Sequence, residues 1–157
     1  MKNLIIRAIG KPQDSWHQQA IHTYLERLRP FASVQIVELP EGHQGSAKPN
    51  QEKTKEKEGE SLIKGIPKEA WVIALDETGR ELDSATFAAA LADWGGNGRP
   101  LVFLIGGSWG LSHAAKERAD AILAFGRMTL PHALARIILL EQLYRAAMIN
   151  AGKVYHK

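Results

Sequence analysis

Apolar positions along the chain switch between two periods. Short apolar runs at residues 4–9, 34–39, 71–75, 101–105 and 122–125 each predict a strand. The stretches between them carry helix signals. A Ser-x-x-Gln capping box at Ser15 and Gln18 opens a helix to about Leu28. Residues 51–64, QEKTKEKEGESLIK, predict a helix whose alternating Glu and Lys mark a solvated face. Ser84 predicts the cap of a helix to Trp94, and Ser112 the cap of another. A long helix follows Met128-Thr129-Leu130-Pro131-His132 and ends near Asn150. Residues 40–50 read as a polar loop, and Asp76-Glu77-Thr78-Gly79 as a turn closing the third strand. Strands alternating with helices predict an α/β fold, a parallel-dominated sheet with helices on both faces.

Two segments break the ordinary pattern. LVFLI at 101–105 is apolar without alternation, as in a strand buried on both faces. It runs into Gly106-Gly107-Ser108-Trp109-Gly110. Glycines there let the backbone turn tightly and approach a ligand, and open α/β sheets bind ligands at the carboxyl ends of strands. The spacing G-G-x-x-G is neither the dinucleotide fingerprint nor a P-loop. An ordinary strand-to-helix turn accounts for these glycines equally well. The second segment is the last helix. Leu134, Ile137, Ile138, Leu139, Leu140, Leu143, Met148 and Ile149 leave it little polar face. A helix apolar nearly all round is covered on several sides, which predicts a homodimer contact.

Composition narrows the classes. A chain of 157 residues predicts a single domain, 1–157. It has no cysteine, so disulfides, thiolate zinc sites and cysteine nucleophiles are out. The six histidines have no ligand spacing, and no metal site is expected. No apolar run is long enough to span a bilayer, and the N-terminal run, interrupted by Arg7, does not read as a signal peptide. The net charge of +3 permits RNA binding without demanding it. Ser108 has no Gly-x-Ser-x-Gly elbow around it and reads as a small turn residue. His132, at the start of the long helix, lies near free backbone N–H groups and can meet an anion or a substrate. The tail brings together Lys153, Tyr155, His156 and Lys157, a set able to grip phosphate and stack on a base.

Taken in order, IGGSWGLS, MTLPHALARIILLEQLYRA and the closing KVYHK resemble the ribosomal RNA large-subunit methyltransferase H family of the SPOUT superfamily. The resemblance runs end to end, through MKNLIIRAIGK, KEKEGE and ALDETGREL. It implies an α/β knot, its C-terminal segment threaded through a loop, against the usual rule of unthreaded connections. It implies a cytoplasmic homodimer with S-adenosyl-L-methionine as methyl donor. The implied substrate is a pseudouridine of 23S rRNA, methylated at ring nitrogen N3 on the assembled ribosome. By motif, the donor pocket takes Leu75, Gly106, Phe125, Gly126, Arg127, Met128, Thr129 and Leu130, with Arg127 acting through its backbone. Trp109 stands where the family pattern often carries an acidic or polar residue. Expected RNA contacts are His132, Arg136, Lys153, Tyr155, His156 and Lys157. For the chemistry the candidates are His156 as proton acceptor, Arg136 or Lys157 as charge stabiliser, and Tyr155 as stacking platform. Two other readings compete: a non-catalytic RNA-binding module on the same fold, and a knotted methyltransferase acting on transfer RNA.

Overall fold

The computed structural model describes residues 3–43 and 47–155. Strands β1 (Asn3–Ile9), β2 (Ser33–Leu39), β3 (Trp71–Glu81), β4 (Leu101–Ile105) and β5 (Ala121–Ala124) form one sheet in the order β2-β1-β4-β3-β5. Every pairing is parallel. Central β4 is buried at all five positions. Its side chains divide between two cores with the period of a strand. Leu101, Phe103 and Ile105 face α1 (Ser15–Leu28), α3 (Ser84–Trp94) and α5 (His132–Asn150). Val102 and Leu104 face α2 (Gln51–Ile63) and α4 (His113–Arg118). Coverage on both sides is why this run shows no polar alternation. Among the described residues, no helix is long and apolar enough to cross a membrane.

The structure corrects several local expectations. The N-cap of α1 is Asp14 and no side-chain cap bond forms, so the capping box is absent. Gln18 instead donates its amide to the Pro12 carbonyl at 3.0 Å. The N-cap of α3 is Asp83, whose carboxylate accepts from the Thr86 N–H. Ser84 is thereby free to donate to Gln142 at 2.7 Å and tie α3 to α5. Ser112 caps α4 as expected, accepting from the Ala115 N–H at 3.1 Å. β3 does not end at Leu75. Asp76 accepts the local Thr78 N–H bond that signals a turn, but the distortion is a bulge, after which Arg80 and Glu81 pair with β5. The charged helix α2 is not solvated on every charged position, for Glu58 is only 2% exposed. At its C-terminus, Arg7 of β1 donates to the carbonyls of Ser61, Leu62 and Lys64.

Candidate active site

β3 and β4 run in register to Leu75 and Ile105, where β4 ends and β3 bulges before it continues beside β5. Beyond Ile105 the glycine segment folds into a tight turn, with Gly110 N–H donating to the Gly107 carbonyl at 3.1 Å. A side chain at Gly106 would stand 2.7 Å from the Gly110 carbonyl carbon, so only glycine allows the turn to close this far. The loop after β5 crosses in front. A cleft of about 670 Å³ opens between them, lined by Leu75, Ile105, Gly106, Gly107, Ser108, Trp109, Gly110, Thr129, Leu130, Pro131 and His132. A narrower recess beside it is lined by Leu123, Phe125, Gly126 and Met128 and shares Leu75, Leu130 and Ala135 with the cleft. Leu75, Gly106, Phe125, Gly126, Met128, Thr129 and Leu130 therefore meet around one opening. Arg127 is exposed and outside both linings. Trp109 and Met128, both large and exposed, give the opening an apolar rim.

The charged groups here are not equivalent. Burial alone would raise the pKa of Asp76. Hydrogen bonds from Thr78 and Lys116, and the Lys116 charge 2.9 Å away, outweigh it and hold the carboxyl below its ordinary value. His132 is half-buried; burial lowers its pKa and the Arg136 charge lowers it further, while Glu41 opposes. That direction favours the neutral imidazole.

Arg136 is not available for the roles expected of it. It is fully buried, with one guanidinium nitrogen 2.6 Å from Glu38 and another donating to the Gly10 carbonyl at 3.0 Å. A guanidinium closed from solvent and committed to β1 and β2 cannot contact RNA or stabilise charge in the cleft. It pins the first turns of α5 to the sheet edge.

Glu58 is the residue that sequence reasoning missed. Its Oε1 accepts from the Gly42 N–H at 3.0 Å, and its Oε2 is buried without a partner. A side chain at Gly107 would stand 2.9 Å from that Oε2. The carboxyl thus packs against the back of the glycine loop. Burial raises its pKa, with the Gly42 bond and His43 opposing. The available signal was Glu58-Gly59 inside an otherwise charged helix, since a glycine there implies close packing.

The tail lies elsewhere. Tyr155 donates its hydroxyl to Glu141 at 3.2 Å, sets its ring edge-on to Tyr144 at 4.9 Å, and lies under the Arg145 guanidinium. Lys153 reaches over the Phe31 ring. Glu141 is nine residues beyond His132, about 13 Å along a helix, so Tyr155 is outside its own chain's cleft. His156 and Lys157 lie outside the described residues.

Comparison with known proteins gives the family. The profile of the family described as "Predicted SPOUT methyltransferase" matches residues 1–156. Proteins named ribosomal RNA large subunit methyltransferase H are similar over nearly the whole chain. The one from Acidiphilium cryptum is 44% identical, covering 98% of this chain and 93% of its own. That from Carboxydothermus hydrogenoformans is 42% identical (98% and 99%), and that from Lacticaseibacillus casei 40% identical (99% of each). A solved structure, "a probable methylase family protein from Haemophilus influenzae", shares the fold at a TM-score of 0.53 and 13% identity, over 96% of this chain and 67% of its own.

Proposed function

The chain belongs to the SPOUT methyltransferase family, and from that premise we propose that it methylates N3 of a pseudouridine in 23S rRNA, with S-adenosyl-L-methionine as donor. The observation that carries this reading is the meeting of three sequence-distant segments around one cleft, Leu75, Gly106 and Thr129–Leu130, with Phe125, Gly126 and Met128 lining the recess beside it. The cleft fits such a donor. Its volume lies in the range of small-molecule sites, and its lining pairs apolar strand ends with backbone polar groups free of side chains. Leu75, Ile105 and Leu130 offer a slot for a purine, and the glycine loop offers hydrogen bonds at close approach. When bound, the donor supplies an electrophilic methyl group. What the chain supplies is alignment of N3 with that methyl, chiefly proximity and orientation. Because the imide nitrogen carries a proton, a base must also be at hand.

The names carried by the relatives favour large-subunit rRNA over transfer RNA as substrate, and an enzyme with that substrate would work on ribosomes in the cytoplasm. On this reading the C-terminal segment is threaded as the family's knot, and two copies form the working enzyme. Lys153, Tyr155, His156 and Lys157 then grip RNA at the partner's cleft, since Tyr155 is held away from its own. Mass mapping of rRNA, after incubating the protein and donor with ribosomes lacking the modification, tests the assignment. One added methyl on a 23S pseudouridine is expected. Methylation confined to transfer RNA, or calorimetry detecting no donor binding with or without ribosomes, overturns it.

A further inference from the structure

A histidine stands at the rim of the cleft. His132 opens α5 directly after Pro131, and its ring lines the cleft with the glycine loop. Its Nδ1 is buried without a partner, and with the ring proton on that nitrogen Nε2 is the one left to accept. The position is fixed from below. Arg136, one turn along α5, is locked to Glu38 and Gly10, and Gly10 in turn abuts the His132 ring. Of the two acids in the lining, Asp76 is committed to Lys116 and Thr78, and Glu77 is an exposed carboxylate.

Resting on the reading of methyl transfer to an imide nitrogen, we propose that His132 is the catalytic base. Its Nε2 takes the N3 proton as the bond from N3 to the methyl carbon forms. The carbon–sulfur bond breaks with its electron pair remaining on sulfur, and the proton leaves His132 for water. This replaces His156 in the role of proton acceptor. Three neighbouring elements place charged or titratable groups toward the ring: Arg136 from α5, Glu41 from the segment after β2, and His17 from α1. Burial and Arg136 both favour the unprotonated imidazole, the form that accepts a proton.

The test pairs kinetics with a measurement that needs no donor. Single-turnover methylation of ribosomes is followed from about pH 6 to pH 9 for wild type, His132→Gln and Glu77→Gln. A positioned base is worth about 10²- to 10⁴-fold. His132→Gln is expected to lose at least about 10²-fold at pH 7 while its donor Kd by calorimetry stays within about threefold. Its rate should climb about tenfold per pH unit without a plateau, because the imide must then ionise unaided. Wild type and Glu77→Gln should level off. In parallel, carbon NMR of ring-labelled histidine follows the His132 resonance, identified by its loss in His132→Gln. A midpoint below the ordinary 6.5 is expected. A plateau retained in His132→Gln, a plateau lost in Glu77→Gln instead, or a His132 midpoint above 6.5 overturns the proposal. If His132→Gln does not fold, the wild-type midpoint and the rate of His132→Ala with added imidazole decide. Wild type that methylates no rRNA is a different result, and overturns the functional reading beneath it.

Discussion

Glu58 holds a buried carboxyl against a backbone that only glycine could supply. Because its folded-state pKa lies above the ordinary 4.5, the folded chain binds that proton more tightly than the unfolded chain. The stability it contributes is complete below pH 4.5 and is lost as pH rises through the folded value. Gln in its place copies the neutral acid. We expect thermal melts of wild type to fall behind Glu58→Gln as pH is raised above 4.5, and a gap independent of pH would refute the assignment. Gly107 tests the same contact from the other side. An added methyl would meet both Glu58 oxygens and Ile9 at 2.9–3.0 Å. Overpacking of this kind costs about 1–3 kcal/mol. Gly107→Ala should therefore lower the urea midpoint correspondingly and, where the loop shifts to relieve the clash, weaken donor binding. If Glu58 is the obstacle, adding Glu58→Ala should return part of the loss; strictly additive effects in calorimetry would dissociate the two residues.

Elements were legible in the sequence where both ends of the signal are local. β4 announced itself because burial on two faces erases alternation, and Ser112 because a cap bonds its own helix. The extension of β3 was hidden because Asp76 and Thr78 make a turn-like bond whatever follows; only β5, more than 40 residues on, keeps Arg80 and Glu81 in the sheet. The α3 cap moved to Asp83 because its carboxylate, one residue before Ser84, takes the Thr86 N–H, whereas Asp14 holds the α1 cap position by backbone alone. The linings of the cleft were reached through the family resemblance, with glycines and strand ends giving only the edge of the sheet. The burial of Arg136 was out of reach, since its partner Glu38 is 98 residues away. Ser112 sets the start of α4. It is buried, caps α4 and faces Gly59 of α2. Ser112→Ala should cost about 0.5–2 kcal/mol, read as a lower urea midpoint at unchanged slope. An unchanged midpoint would remove the cap from the stability of this layer.

For the molecule as a whole, the question is why α5 stays apolar after its own core is filled. Leu139, Leu140, Leu143, Ala146 and Ala147 face the sheet and its flanking helices, while Leu134, Ile138, Met148 and Ile149 remain half-exposed. Ile138 borders a groove of about 430 Å³ with Phe87, Phe125 and Gln142, close to the narrow recess of the cleft. Exposed apolar area of this kind marks an interaction surface, and a two-fold dimer would cover it twice with one patch. Since Ile138 is only half-buried in its own chain, Ile138→Glu should leave a folded monomer. That monomer should be inactive if the tail works across the interface, because Tyr155 is tied to Glu141 and away from its own cleft. Sedimentation and rRNA methylation on the same sample check this, and a folded monomer with normal activity would end the argument. Direction is then decided by mixing. A chain truncated after Gly152 keeps its cleft; a chain carrying Gly107→Ala keeps its tail. Each alone should be weak. After co-refolding, half the dimers are mixed and each holds one complete site if the tail acts in trans, returning about a quarter of wild-type activity. If the tail serves its own chain, no mixed site is complete and mixing returns nothing.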